Sequence, residues 1–161
     1  MFQRVKDIRQ IETVEKLARE IWIEHYTPII GKDQVLYMLD KFQSIDTISS
    51  QIDKGIEYFL IMENEAPIGY MALEPKKNEL FLSKIYILSS MRGKGLGRKA
   101  IEFAAKFARK KKLGKITLTV NKGNLSSIKA YERIGFFNKG SIISDIGNGF
   151  FMNDYKMDKS L

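Results

Sequence analysis

Hydrophobic residues in the first third of the chain recur with the period of a helix. The predicted elements there are a strand over residues 2 to 8 and helices over Ile11–Tyr26, Asp33–Phe42 and Ile45–Lys54. Pro28 is expected to interrupt the first helical pattern, because proline removes a backbone donor. Asp46 is a candidate N-cap for the third helix.

The rest of the chain changes between strand-like and helix-like periods. The predicted strands are 56–63, 67–73, 78–88, 115–120, 136–143 and 150–157, and the predicted helices are 99–111 and 125–134. The segment Gly147-Asn148-Gly149 separates the last two strands and is typical of a hairpin turn. The segment Asn64-Glu65-Ala66 predicts an earlier turn of the same kind.

This order of elements predicts an α/β fold with a mixed sheet of about seven strands. A strand–helix–strand passage in the middle of the chain implies a right-handed crossover between two parallel strands. The hairpins on either side imply antiparallel pairs. No repeat, low-complexity tract or linker divides the sequence, so residues 1–161 are expected to form a single domain.

Composition narrows the class of protein. The apolar fraction of 44% and the charged fraction of 29% are typical of a soluble globular chain. Cysteine is absent and histidine occurs once, so neither a disulfide nor a metal site is expected. No apolar run has the length of a membrane span and the first residues lack a secretory h-region, so we expect a cytoplasmic protein without a membrane partner.

The net charge of +8 calls for a separate explanation. The densest basic run, Lys106 to Lys115, falls at the predicted end of a helix, where cations offset the helix dipole. A role for this run towards a cofactor phosphate or RNA stays open. No aromatic residues interleave it as in single-strand binding surfaces, so the pattern does not favour nucleic acid as a partner.

The segment Arg92-Gly93-Lys94-Gly95-Leu96-Gly97-Arg98 carries the clearest chemistry. It lies between a predicted strand and a predicted helix, with glycines at alternate positions and three basic side chains around them. A helix start has unpaired N–H donors and a partial positive charge. The segment therefore predicts a site for a phosphorylated ligand, most simply a diphosphate.

Two common phosphate loops do not fit this segment. No Gly-Lys is followed by Ser or Thr, as a P-loop needs, and the spacing G-x-G-x-G differs from the dinucleotide fingerprint. The spacing Arg92-x-x-Gly95-x-Gly97 instead resembles the R/Q-x-x-G-x-G/A signature of the GCN5-related N-acetyltransferase family. Asn124 to Phe136 resembles the family's second signature, N-x-x-[AS]-x-x-x-Y-E-[KR]-x-G-F, and Ser83 to Leu88 resembles its fourth strand.

This resemblance covers roughly residues 80 to 137 and implies acetyl-CoA as cosubstrate. It implies that backbone amides of Met91–Arg98 hold the pyrophosphate, that the backbone of Ile85–Ile87 pairs with the pantetheine arm, and that the Ile87 amide polarises the acetyl carbonyl. Tyr131 matches the family's general acid. The implied cofactor-binding residues are Ile85, Tyr86, Ile87, Arg92, Gly93, Lys94, Gly95, Leu96, Gly97, Arg98, Asn124, Ser127 and Tyr131. Asn124 would bond the pantetheine amide or cap its helix.

The sequence does not single out the base that frees the acceptor amine. His25 suits the task by its pKa range, and Glu79 is a second candidate at the start of the fourth strand. By resemblance, residues 23–37 and 143–154 shape the acceptor pocket. Their surroundings carry carboxylates that could receive a polyamine or a basic peptide end, namely Glu24, Asp33, Asp40, Asp46, Asp145 and Asp154.

The expected activity is transfer of acetyl from acetyl-CoA to a primary amine of a small molecule or peptide, by direct attack in a ternary complex. A loose likeness to PaiA-type spermidine/spermine acetyltransferases favours a polyamine-like acceptor. Alternatives left open are a protein N-terminal or lysine acetyltransferase, a CoA-binding regulator without catalysis and, less favoured, a protein that binds ATP or NAD. Phe136, Phe137, Phe150 and Phe151 make a homodimer through the last hairpin plausible.

Overall fold

The computed structural model describes all residues, 1–161, as a seven-stranded sheet with five α-helices. The strands are β1 Phe2–Arg4, β2 Glu57–Glu63, β3 Ala66–Pro75, β4 Leu80–Ile87, β5 Lys115–Asn121, β6 Phe137–Gly147 and β7 Phe150–Ser160. The helices are α1 Ile8–Ile30, α2 Lys32–Gln43, α3 Ile45–Asp53, α4 Leu96–Lys110 and α5 Leu125–Ile134. The predicted mixed sheet is confirmed.

The strand order β1-β2-β3-β4-β5-β7-β6 contains one parallel pair, β4 with β5. That pair is registered only at Leu80 with Ile116 and at Phe81 with Thr117. Beyond Phe81 both strands continue without pairing to each other, β4 to Ile87 and β5 to Asn121. The sheet is therefore open along the C-terminal halves of its two central strands.

Two hydrophobic cores cover the two faces of the sheet. The α1–α2 face carries a core to which Val14 and Trp22 of α1 and Met38 of α2 contribute. The α4 face carries the other core, with Ala104 of α4 and Ile116 of β5 at its centre and α5 packed at its edge. Each face of the sheet is therefore covered by helices, as the sequence predicts.

Local capping chemistry sets the boundaries that differ from the prediction. The first strand ends at Arg4 instead of continuing to residue 8, because Asp7 caps α1 in a reciprocal capping box with Gln10. The N-cap of α3 is Ser44, whose side chain accepts from the Thr47 amide, so the assignment of Asp46 as cap was wrong.

Pro28 lies inside α1 and does not end it. The helix continues to Ile30 and ends at Gly31, which has a φ of 85° and donates its N–H to the Thr27 carbonyl. Proline withdraws one backbone donor, and so close to the end of a long helix this loss is tolerated because Ile30 still packs on the α1–α2 core.

The final hairpin is longer than predicted, and one of its strands is exposed. β6 and β7 turn at Asn148 and Gly149, both with positive φ, as predicted. Phe136 is buried, whereas Phe137, Ile143 and Phe151 remain exposed. The expected homodimer through this hairpin stays a prediction. No helix in the chain is long and apolar enough to cross a membrane.

Candidate active site

A cavity of about 640 Å³ occupies the opening between β4 and β5. Its walls come from β4, the loop that follows β4, the start of α4, β5, α5, β7, α2 and the second half of α1. Ligand sites in open sheets with parallel strands lie beyond the carboxyl ends of those strands. The cavity therefore lies where the sheet topology favours a ligand.

The glycine loop presents a row of free donors to this cavity. None of the backbone N–H groups from Gly93 to Arg98 donates to a protein acceptor. Gly93 and Gly95 have φ of 78° and 76°, which fixes the loop in a conformation that other residues rarely adopt. Gly95 is the N-cap of α4 and offers no side-chain acceptor to the first turn. Unsatisfied donors at the start of a 15-residue helix form an anion site.

Space around the loop is consistent with a bound pyrophosphate. A Cβ placed on Gly93, Gly95 or Gly97 would meet no other atom within 4 Å, so the cradle is open. All three glycines and Leu96 line the cavity, whereas the side chains of Lys94 and Arg98 are exposed outside its lining. The backbone N–H groups of those two residues are likewise without a protein acceptor.

The backbone of β4 turns two of its three predicted residues towards the opening. Leu88 donates its N–H to Ile68 of β3. Backbone groups alternate in direction along a strand, so Ile85 and Ile87 point their N–H and C=O groups away from β3. Arg92 donates its Nε–H to the Ile87 carbonyl at 3.3 Å, on that open side. Tyr86 differs from the prediction, because its carbonyl faces β3, where a Cβ added to Gly69 would clash with it. It enters the cavity through its side chain instead.

α5 brings the residues of the second signature to the same cavity. Asn124 is 5% exposed and holds the N-cap position of α5, yet makes no side-chain cap, and its Oδ1 has no hydrogen-bond partner. A buried amide oxygen without a donor lacks an interaction that a ligand N–H could supply. Ser127 also lines the cavity, and of the two roles predicted for Asn124 the ligand contact is the one this geometry favours.

Tyr131 lies deep in the cavity wall. Its ring packs edge-on against Phe136 at 5.6 Å, and its hydroxyl makes no hydrogen bond to protein. Burial raises the pKa of this phenol well above its ordinary value, and the neighbouring Tyr26 raises it further. The hydroxyl is therefore protonated throughout the neutral range and available as a proton donor.

The structure separates the two predicted bases. His25 lines the cavity and stacks edge-on with Tyr26 at 4.9 Å. Burial and then Arg92 lower the pKa of its imidazole, partly offset by Asn124 and Glu24, so His25 is neutral at pH 7. Glu79 lies before the first residue of β4, at the end where the strands are still paired, and does not line the cavity.

Asp154 is the acidic residue that the cavity contains. The other five carboxylates predicted near the acceptor pocket are exposed and lie outside the lining. Asp154 of β7 is 5% exposed, and burial raises the pKa of its carboxyl to about 6. The sequence contained a signal for this position, because Phe150, Met152 and Asp154 alternate along β7 and so share one face.

An aromatic cluster forms the rest of the wall on the α1 side. Trp22, Tyr26 and Tyr86 have ring centroids 5.3 to 6.1 Å apart, and the Tyr26 and Tyr86 hydroxyls are 3.2 Å apart. The β6–β7 hairpin closes this side, since Tyr37 of α2 donates to the Ile146 carbonyl at 2.6 Å. The predicted acceptor segments are therefore brought together.

An open mixed sheet, an anion cradle at the start of α4 and a buried phenol are the features of a transferase that uses an acyl-CoA cosubstrate. Free amides, open glycines and the unpartnered Asn124 oxygen match the phosphates and amides of such a molecule. The sequence profile of the Acetyltransferase (GNAT) family matches residues 13–136, which is more than half of the chain. The chain belongs to this family.

One curated protein with a similar sequence is named after the compound streptothricin. Streptothricin acetyltransferase from Streptomyces lavendulae is 37% identical over 71 residues, which are 44% of this chain and 36% of that relative. The match therefore spans much less than half of the relative's length.

Solved structures share the fold at low sequence identity. PaiA N-acetyltransferase from Thermoplasma acidophilum, in complex with coenzyme A, has a TM-score of 0.81 at 20% identity and covers 100% of this chain and 99% of that one. A GNAT family acetyltransferase from Elizabethkingia anophelis with acetyl-CoA bound has a TM-score of 0.59 at 16% identity, over 71% of this chain and 82% of that one. The predicted likeness to PaiA-type enzymes is confirmed for the fold.

Proposed function

We propose that this protein transfers the acetyl group of acetyl-CoA to a primary amine of a small molecule or peptide, by direct attack in a ternary complex. The observation that carries the proposal is the convergence of Tyr131, His25 and Asp154 on one cavity beside the glycine loop. A donor site and an acceptor site that share one cavity suit direct transfer, because no covalent enzyme intermediate is then needed.

Each chemical requirement has a residue of this chain. Asp154 receives the acceptor ammonium, and the neutral imidazole of His25 takes its proton. The free amine forms the C–N bond at the thioester carbonyl, whose oxygen accepts from the Ile87 N–H. As the C–S bond breaks, Tyr131 donates its proton to the sulfur, which leaves as the thiol of CoA, and the nitrogen gives up its surplus proton, which restores the Tyr131 phenol.

The activity itself is tested by measuring thiol release from acetyl-CoA over a panel of primary amines. The panel holds amino acids, spermidine, spermine, aminoglycosides and basic peptides. Release that depends on one class of amine is expected and would identify the acceptor. CoA binding without release from any of these amines would contradict the proposal and favour a CoA-binding regulator.

Gly97→Ala is expected to weaken CoA binding while leaving the fold intact. The added methyl meets no protein atom and sits at a helical position that favours alanine by about 1 kcal/mol, so thermal stability should be unchanged or slightly higher. The methyl group would occupy space at the glycine loop that the phosphates of CoA need. The Kd for CoA should therefore rise by about ten-fold, or about 1.4 kcal/mol. Calorimetric titration with CoA measures this.

Gly114→Ala is the matched control for Gly97→Ala, because Gly114 lies outside the cavity and has an ordinary backbone conformation with 3.9 Å to the nearest atom. It should leave the Kd for CoA within two-fold of the unaltered protein, as about 0.4 kcal/mol is the resolution of such a comparison. Equal CoA affinity in Gly97→Ala and Gly114→Ala would contradict the assignment of the cradle.

A further inference from the structure

Lys84 of β4 is a charged residue of the cavity that the proposed chemistry does not use. Its neighbour Tyr86 packs against the α1–α2 core, as does Ala72, which pairs with Lys84 across β3 and β4. Alternate residues of a strand share a face, so Lys84 lies on the acceptor side of the sheet. It lines the cavity there.

The ammonium of Lys84 has no carboxylate partner. It donates to Ser83 Oγ at 2.8 Å and forms no ion pair. Burial lowers the pKa of Lys84 to about 8, with Glu74 acting in the opposite direction, so the side chain is mostly charged at pH 7. A half-buried cation without a counter-ion is only partly solvated, and an anionic ligand would offset that lost solvation.

Asp154 is the complementary case. It lies on the same face as Lys84, because Met152 of the same strand packs against the α1–α2 core, and β5 alone separates β4 from β7 in the sheet. Its carboxylate forms no ion pair within the protein and accepts no hydrogen bond from another side chain. The acceptor side therefore offers one unpaired carboxylate and one unpaired ammonium.

These charges weigh against a polyamine. The cavity lining contains one carboxylate, Asp154, against three basic side chains, Lys84, Arg92 and Arg133. A second or third ammonium of a polyamine would find no carboxylate there and would face Lys84 instead. Like charges in a partly buried site repel each other strongly.

We propose that the acceptor is a primary amine that also carries a carboxylate, an amino acid or short peptide whose ammonium binds Asp154 and whose carboxylate binds Lys84. This inference rests on the proposed function for the identity of the acceptor site. The aromatic wall formed by Trp22, Tyr26 and Tyr86 receives the apolar part of the molecule.

Matched amines with and without a carboxylate test the inference. The pairs are phenylalanine with phenethylamine and 4-aminobutyrate with propylamine, and spermidine is a third arm. Binding of each compound to the protein–CoA complex is measured first, followed by kcat/KM with acetyl-CoA. In at least one pair the acid should bind about ten-fold more tightly than its decarboxylated amine, and more tightly than spermidine.

Lys84→Met should make the affinities for an acid and for its decarboxylated amine nearly equal. Lys84→Arg should restore part of the preference for the acid. Equal binding of acid and amine in the unaltered protein, tighter binding of spermidine, or acetylation of Lys84 itself on incubation with acetyl-CoA would overturn the inference. Because binding is measured without turnover, a protein that binds the acids selectively and never releases thiol would contradict the proposed function alone.

Discussion

Tyr131→Phe is expected to lower kcat by about 100-fold, the usual contribution of a positioned general acid. The substitution removes the hydroxyl and keeps the ring that packs against Phe136. Without that proton the sulfur must leave as a thiolate, whose conjugate acid has a pKa of about 8.5. Initial rates of thiol release at saturating acetyl-CoA and acceptor measure the effect.

The matched control for this loss is Tyr155→Phe. Tyr155 of β7 belongs to the α4 face and lies outside the cavity lining. Both variants should fold as stably as the unaltered protein does, since neither hydroxyl makes a protein hydrogen bond. A Tyr131→Phe enzyme with more than half of the original kcat would remove Tyr131 as the acid and leave the proton donor to water.

Asp154→Asn is expected to lower kcat/KM by about 100-fold and to make the protein more stable. Folding raises the pKa of this carboxyl to about 6 from an ordinary value of 3.8, so the folded state binds a proton more readily than the unfolded state. Stability is therefore lost as pH rises from about 4 to above 6. After allowance for solvent in the cavity, asparagine should recover about 1 to 2 kcal/mol at pH 7 and nothing below pH 4.

The pH profile separates Asp154 from His25. With the acceptor held constant, kcat/KM of the unaltered enzyme should fall on the acid side with a midpoint of about 6, where Asp154 takes up its proton. His25→Gln should lower activity and keep this midpoint, because the titrating carboxyl of Asp154 is still present in that variant. Asp154→Asn should abolish the midpoint.

Asp145→Asn is the control for both measurements. Asp145 lies on the same hairpin, is exposed, and uses Oδ1 to accept from the Gly147 amide, which asparagine can also do. In the Asp145→Asn protein, neither the free energy of unfolding nor the pH dependence of kcat/KM should change. An acid limb that survives in Asp154→Asn would show that another group controls ionisation, and His25 would be the first to test.

The sequence predicted those parts of the site that depend on local backbone structure. A glycine loop between a strand and a helix defines its own anion cradle, and the spacing from Asn124 to Tyr131 places both residues on one helix facing the same way. The mixed character of the sheet followed from the hairpins and the single crossover. None of these features needs knowledge of distant packing.

Features that depend on how far two strands remain paired could not be predicted. Glu79 and Ile87 belong to one predicted strand, yet only the second reaches the opening, because pairing between β4 and β5 stops after Phe81. Lys84 and Asp154 become neighbours of one cavity only when β5 sets the width of that opening. Burial shifts the pKa values of both side chains, and the sequence alone does not show which charged residues are buried.

Because β4 and β5 pair at only two positions, we expect bound acetyl-CoA to contribute to the stability of the folded protein. Two leaves, β1 to β4 and β5 to β7, are joined there by few ladder bonds and by the crossing helix α4. A pantetheine arm bound as predicted would add hydrogen bonds along the unpaired edge, and at 100 times its Kd a ligand of the folded state contributes about 2.7 kcal/mol. We therefore expect the lifetime of this enzyme against unfolding and proteolysis to follow the supply of acetyl-CoA, so that abundance and substrate availability rise and fall together.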